Sequence, residues 1–593
     1  MATRILHGIP VSAGIAIGKA FFLRTRREAA PIRQSIKAEQ VDEEVAKFKA
    51  ALVNVVADFK NAHAGLPDKM RDQAAILAAH TMIAQDPKLS RGVIKRISEL
   101  HMSTDWALDE TLTEIAQTFS QIEDPYIREA IQEVYLVADR ILEQLSGYQR
   151  RQVSLPPGAA LLAHDLSPAD TLELSPEHII CLVTEEGGKT SHTGILARGL
   201  DLPCVVGVMA LAASVPDGAT IIVDGLKGAV LVNPDAAEIE EYSALAEQFN
   251  AYRQRIKTAC GLPARTTDGY EIKVQANVAW RENIPEATAN GAEGVGLYRT
   301  EFAFLNRSSP PEEEELYQEY AAALAATPGE IRFRTLDVGA DKIMPDLEHQ
   351  VEPNPALGLR GIRYCLANPD LFKAQLRAIL RAAAPGRAAL MFPMLSDPLE
   401  FKRAIRALQE ARHELREHGQ TCARDLSVGI MVELPSAAIM AGALAEEADF
   451  FSIGTNDLVQ YILGADRSNH QVAHLYQPLH PAVLTAIKQI VDAGHAANIP
   501  VAVCGEMAAD PYCLPVLLGL AVDSLSVNPI AVPGIKNIIR RLDRSDCETL
   551  AAEALACRAA GHVNRLVRRF MHARANSDLA FHTSLLDIEE QAG

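Results

Sequence analysis

Residues 427–457 read SVGIMVELPSAAIMAGALAEEADFFSIGTND. A β-rich apolar run, SVGIMV, stops at Glu433; an alanine-rich helical stretch follows; a second run, FFSIG, stops at Asn456 and Asp457. Strand, helix and strand, with polar residues where each strand stops, describe one βα unit of a parallel sheet. The same reading extends in both directions through IKVQANVA, GVGLYRTEF, IRFRTLDVG and ALMFPML before this stretch and PVAVCGEM and DSLSVNP after it. Eight such units in succession suit a (β/α)8 barrel better than the alternative, an open doubly wound sheet. Barrel enzymes place their chemistry at the C-terminal ends of the strands. Arg299, Glu301, Asp337, Glu433, Asn456, Asp457, Cys504, Glu506 and Asn528 are therefore expected around one mouth.

The N-terminal half has a different texture. Residues 1–25 are strand-like and rich in small turn residues (GIPVSAGIAIG), whereas Ile36 to Leu145 carry apolar residues at a 3–4 spacing, as in VDEEVAKFKAALVNVVADFK. Glycine is nearly absent there, Gly65 and Gly92 being the examples, so the stretch reads as a helical subdomain inserted into an α/β unit. The α/β pattern resumes with HIICLVTEEGG (strand into glycine turn), SHTGILARGL (helix), LPCVVGV (strand) and ATIIVDGLKGAVLVNP (a hairpin around Gly225). A polar, glutamate-rich helix between Asp235 and Lys257 connects this unit to the barrel.

Composition narrows the class. The chain has 593 residues, 48% hydrophobic and 22% charged, as expected of a multidomain globular protein. A net charge of −19 argues against binding to nucleic-acid backbones, which demand clustered Lys and Arg. No apolar run reaches the roughly 18–20 residues of a membrane span, and no secretory signal opens the sequence. Nine cysteines without a close CxxC pair fit reduced thiols in a cytoplasm.

Four groups of residues carry chemistry. In GGKTSHTGILAR, residues 187–198, two glycines allow a tight turn, Thr190 or Ser191 can cap the following helix, and His192 falls in its first turn. Free N–H groups and the helix dipole favour a negative group there, so the imidazole is a candidate phosphoryl acceptor; the alternative is a capping or core histidine. Arg299, Arg334, Arg360, Arg363 and Arg467 supply planar guanidinium groups suited to phosphate and carboxylate, and Lys342 can add a point charge. Glu433 and Asp457, at the ends of consecutive strands, offer two carboxylates for a magnesium ion, with Asn456 beside them. Cys504, ending the seventh run, places a thiol where it can protonate a substrate carbon.

With these residues in hand, the chain resembles Enzyme I of the bacterial phosphoenolpyruvate:sugar phosphotransferase system. The resemblance runs through HGIPVSAGIAIGKA, GGKTSHTGILARGLDLPCVVG, GVGLYRTEFAF, RTLDVGADK, NPALGLRGIR, IMVELPSAA, FFSIGTNDLVQYILGADR and AVCGEMAAD, almost the full length. It implies that His192 is phosphorylated by phosphoenolpyruvate and passes the group to the carrier protein HPr. It further implies that Arg299, Arg334, Lys342, Arg360, Asn456, Asp457 and Arg467 bind the substrate, that Glu433 and Asp457 hold magnesium, and that Cys504 is the proton donor. The implied domains are a phosphohistidine α/β domain (1–25 and 146–235), a helical carrier-binding subdomain (26–145), a linker helix (236–261) and a barrel that dimerises (262–593). Two departures stand out. Ala130, Tyr135 and Leu136 replace residues that are usually charged in the docking segment, which bears on which HPr paralogue is accepted, and Gly339–Ala340–Asp341–Lys342 replaces GGDK. An ATP-coupled relative such as pyruvate phosphate dikinase would need a large further nucleotide-binding domain, and a non-catalytic regulator would not need every one of these residues.

Overall fold

The computed structural model describes residues 3–23, 33–65, 80–120, 134, 137–138, 140–142, 144–145, 155–166, 178–187, 192–200, 202–305, 307, 309–338, 354–467, 469, 471–579, 581–582 and 584–588. Two compact units divide the chain at Asn250 and Ala251.

The first unit holds an eight-stranded mixed sheet: β1 (Arg4–His7), β2 (Ile9–Ser12), β3 (Ile15–Leu23), β4 (Ala159–Ala163), β5 (Ile179–Thr184), β6 (Cys204–Val206), β7 (Thr220–Asp224) and β8 (Ala229–Val232), in the order β1-β8-β7-β3-β4-β5-β6-β2. Strands β3 to β6 run parallel, and β7 and β8 form the expected antiparallel hairpin. Alternation sends Leu162, Cys181 and Val183 into one core and Leu161, Leu182 and Cys204 into another, so both faces are covered. Between β3 and β4 come helices α1 (Val41–Gly65), α2 (Pro87–Leu100) and α3 (Thr104–Ser120), which share a core of their own. In α2, Asp86 caps the N-terminus by accepting the Lys88 N–H at 2.7 Å, Pro87 opens the first turn, and Leu89, Val93 and Ile97 face inward. Gly92 has a packing reason: a Cβ there would stand 2.7 Å from the Thr111 methyl carbon on α3. Helix α4 (His192–Gly199) follows β5, and α5 (Ala236–Thr258) follows β8.

In the second unit every one of the eight β-rich runs forms a strand: β9 (Lys273–Val278), β10 (Val295–Arg299), β11 (Ile331–Arg334), β12 (Ala388–Phe392), β13 (Ser427–Val432), β14 (Phe451–Ile453), β15 (Val501–Val503) and β16 (Ser524–Val527). All eight pairings are parallel, and β16 pairs back to β9, closing the barrel. Leu297, Ala389, Met391, Met431, Phe450 and Cys504 form a buried apolar cluster of their own. Three helices of this unit matter below: α6 (Thr455–Leu463), α7 (Val532–Ile539) and α8 (Ala560–Leu579). The strands stop earlier than the sequence runs. Asn456 and Asp457 lie in the first turn of α6 rather than at a strand end, because Gly454 ends the extended stretch and caps the helix. Among the described residues, no helix is long and apolar enough to cross a membrane.

Candidate active site

Parallel strands bring their C-terminal ends to one rim. Arg299 and Arg334 are the last residues of β10 and β11 and stand in register. Arg334 is buried and held on two sides, by Glu301 at 2.6 Å and by Asp337 at 2.6 Å. Arg360 reaches the same Asp337 at 3.1 Å and Asp457 at 3.7 Å. The result is an ion-pair chain from Glu301 through Arg334, Asp337 and Arg360 to Asp457. Its geometry is braced from behind: Thr300 donates its hydroxyl to the Arg334 carbonyl at 2.8 Å, and buried Gln375 donates to Thr300 and accepts from the Leu336 N–H.

Charge within the cluster is unevenly settled. Burial opposes ionisation of Asp337, yet Arg334 and Arg360 outweigh it and hold this carboxyl below its ordinary value. Glu433 is the reverse. Burial first, then the Asp337 and Asp457 carboxylates, push it well above the ordinary glutamate value, against Arg334 and the Met394 N–H. Gly454 leaves room beside it, since a Cβ there would stand 2.6 Å from Glu433 Oε2. Glu433 and Asp457 are thus carboxylates close to one another with more negative than positive charge around Glu433, a setting a hard cation would relieve. Among the described residues no group of three or more His, Cys, Asp or Glu side chains is placed to hold a metal ion.

Cys504 directly follows β15 and is 4% exposed, with its thiol 3.5 Å from the Ile453 carbonyl oxygen. Burial raises its pKa, opposed by the neighbouring Ser452 hydroxyl, raised again by Glu433, and opposed by Arg334 and Arg299. The net rise keeps the thiol protonated at neutral pH. Asn277 on β9 donates to the Cys504 carbonyl at 3.0 Å and is itself held by Ser526 on β16 at 2.7 Å. Beyond Cys504, the Glu506 N–H donates to Asn456 Oδ1 at 2.8 Å, and Arg467 meets the Glu506 carboxylate at 3.1 Å. Arg299 is half-buried and makes no ion pair among the described residues.

The structure thus brings together Arg334, Arg360, Glu433, Asp457 and Cys504, with Asn456 and Arg467 joined to them through Glu506. Arg363 is not part of this set; its guanidinium donates to the Leu357 carbonyl at 3.1 Å. Lys342, Thr190, Ser191, Ala130, Tyr135 and Leu136 lie outside the described residues, as does the side chain of His192; the backbone places His192 at the first residue of α4, after Gly187 at φ +111°. Sequence reasoning missed the partners rather than the cations. Glu301 and Asp337 were visible as polar strand endings but not as the counter-ions of Arg334. Tyr461, whose hydroxyl donates to the Ala356 carbonyl at 2.5 Å and lies 3.5 Å from Arg360, gave no signal beyond its place one turn after Asp457.

Comparison with known proteins covers both units. The PEP-utilising enzyme families match as the N-terminal domain at residues 7–129, the mobile domain at 155–228 and the PEP-binding domain at 253–544. The phosphoenolpyruvate-protein phosphotransferase of Staphylococcus carnosus is 37% identical over 95% of this chain and 99% of its own. That of Haemophilus influenzae is 37% identical over 96% of this chain and 99% of its own. A solution structure of an Enzyme I protein, 34% identical, covers 41% of this chain and 99% of that chain with a TM-score of 0.35. Full-length identity at this level identifies the chain as an enzyme of the phosphoenolpyruvate-protein phosphotransferase family.

Proposed function

We propose that this enzyme transfers the phosphoryl group of phosphoenolpyruvate to His192 and from there to a histidine of an HPr-type carrier protein, the first step of the sugar phosphotransferase system. The observation that carries this reading is the single rim that gathers the ion-paired Arg334, Arg360 and Asp457 with Glu433 and the buried Cys504. Arg299, Arg334, Arg360, Arg467, Asn456 and Lys342 bind the phosphate and carboxylate of the substrate, as forked guanidinium donors do best. Glu433 and Asp457 hold magnesium, which when bound offsets phosphate charge and the charge developing on the leaving oxygen. A nitrogen of His192 forms the new bond to phosphorus while the bond from phosphorus to the enolate oxygen breaks. The enolate left behind takes a proton on its methylene carbon from the Cys504 thiol, giving pyruvate, and solvent reprotonates the thiolate.

In this reading residues 1–25 and 146–235 form the phosphohistidine domain, 26–145 receive the carrier, 236–261 link the units, and the barrel of 262–593 dimerises. A cytoplasmic setting agrees with nine cysteines, all of them free. The test is incubation with magnesium and phosphoenolpyruvate labelled in the phosphate, followed by an HPr-type protein. Label is expected on His192, stable in alkali and absent from His192→Ala, then chased to the carrier without ATP. Label on a different residue of the native chain overturns the assignment.

A further inference from the structure

The cations assigned to substrate are not held alike. Arg334 is locked into buried pairs, part-buried Arg360 is held by Asp337, and Arg299 makes no ion pair among the described residues. Arg467 is paired with Glu506 at 3.1 Å, where the two side chains are 43% and 55% exposed. The same Glu506 holds Asn456 through its backbone N–H at 2.8 Å. One residue therefore occupies two of the groups assigned to substrate, by two different atoms.

The backbone of Glu506 has little freedom. A Cβ on Gly505 would stand 2.8 Å from the Thr455 nitrogen and 2.9 Å from the Asn456 nitrogen, so the loop after Cys504 is pressed against the start of α6. The N–H of Glu506 thus fixes the Asn456 amide, accepting at its oxygen and leaving its NH₂ as a donor for an anion. The carboxylate is different: it sits at the solvent-exposed end of a flexible side chain and can turn away without moving the loop.

We propose that the Glu506 carboxylate is a placeholder for substrate, occupying Arg467 until an incoming anion displaces it. This rests on the reading of Arg467 as a substrate ligand given above. The placeholder keeps Arg467 folded over the rim, and it subtracts the strength of the Arg467–Glu506 pair from the affinity for any anion that takes the arginine. An exposed ion pair is a weak competitor, so the subtraction is several-fold and not orders of magnitude. It has a second consequence. Substrate binding exchanges one ion pair for another, so salt, which weakens both, has a muted effect on affinity.

Glu506→Gln tests this, because it removes the charge and keeps the backbone N–H on Asn456. Calorimetric titration with phosphoenolpyruvate and magnesium, in a His192→Ala background that prevents turnover, is expected to show binding tightened about two- to fivefold, with a steeper loss on adding salt. In an Arg467→Ala background the same substitution is expected to change nothing, as a double-mutant cycle requires when the two residues act as a pair. Weaker binding by Glu506→Gln would make Glu506 a support for Arg467, and unchanged binding would make the pair incidental; either overturns the proposal. Arg467→Ala alone separates the two claims. If it leaves affinity unaltered, the substrate reading of Arg467 fails; if it weakens binding while Glu506→Gln has no effect, the placeholder alone falls.

Discussion

Met394 donates its backbone N–H to the Glu433 carboxylate at 2.7 Å from a left-handed backbone, φ +56°. Positive φ is uncommon for a residue with a side chain, so the turn after β12 is held in a disfavoured conformation while it supplies this bond. The bond does not offset the burial of Glu433, 1% exposed, or its proximity to Asp337 and Asp457. In the folded enzyme this carboxyl ionises well above 4.5, its ordinary value. As pH rises past that value the unfolded chain releases the proton first, so stability falls until the folded value is reached. Glu433→Gln is therefore expected to raise the melting temperature of metal-free enzyme at neutral pH by a few degrees, and to leave it unaltered below the ordinary glutamate value. Turnover should be lost in the same variant. Calorimetry with a chelator at both acidities checks this; a native or lower melting temperature at neutral pH contradicts it.

Asp337 is a hinge of the ion-pair chain, since it faces two arginines. Asp337→Ala leaves Arg334 with Glu301 alone and Arg360 with the more distant Asp457. Removing one partner of a buried pair costs about 3–5 kcal/mol, and that loss is the expectation for urea unfolding of the barrel. The depressed value of Asp337 makes its contribution present above 3.8, its ordinary value, and lost as pH falls through the lower folded one. Arg363→Ala is the contrast, within about 0.5 kcal/mol and with unaltered substrate affinity. Equal effects of the two substitutions would refute the network.

The barrel was legible because its strands are short β-rich apolar runs, six of which stop at polar residues, a signal that survives without tertiary information. Arg299, Arg334, Glu433 and Cys504 were legible for the same reason, being the residues on which those runs stop. Pairing was not. That Arg334 takes Glu301 and Asp337 depends on the register of β10 against β11 and on where the chain turns after each, and no spacing rule encodes that. The left-handed turn at Met394 was equally silent, because the sequence there, FPMLS, carries no glycine to announce it. Gly505 was visible as a bend, but only the packed structure shows that its missing side chain seats the loop on Thr455.

The C-terminal end of α5, from Ala251 on, belongs to the second unit, and its packing there contains a titrating group. The Tyr252 hydroxyl and His582 Nε2 are 2.6 Å apart, while Asp578, 1% exposed, takes Arg255 at 2.6 Å, Arg541 at 2.8 Å and the Asn537 amide of α7 at 2.7 Å. Burial lowers His582 from 6.5 to about 4, against the attraction of Asp578. Between those values the unfolded chain binds a proton that the folded one does not, so stability declines as pH falls through this window, by roughly 3 kcal/mol. His582→Gln, which keeps a partner for Tyr252, should flatten that decline while lowering stability at neutral pH. Chemical denaturation from neutral to mildly acid pH measures both slopes; parallel slopes for native and variant would exclude His582 as the cause.

The Cys504 thiol stays protonated because its surroundings disfavour the thiolate. Cleavage of the phosphorus–oxygen bond leaves an enolate that becomes pyruvate only when its methylene carbon gains a proton. A buried thiol among Leu297, Met391 and Met431 is held in apolar surroundings and can deliver that proton to one face. In Cys504→Ser the hydroxyl is a far weaker acid of similar size, so phosphoryl transfer to His192 is separable from protonation of the enolate. Single-turnover phosphorylation is expected to survive, with substrate affinity little altered because the arginines are untouched. Pyruvate formation should slow by orders of magnitude, and so should the reverse step, removal of a methyl proton from pyruvate. Proton exchange of the pyruvate methyl group with deuterated water, followed by NMR with phosphorylated enzyme, reads that step directly. Native exchange rates in the variant would assign the proton to another acid and leave Cys504 a packing residue above the barrel core.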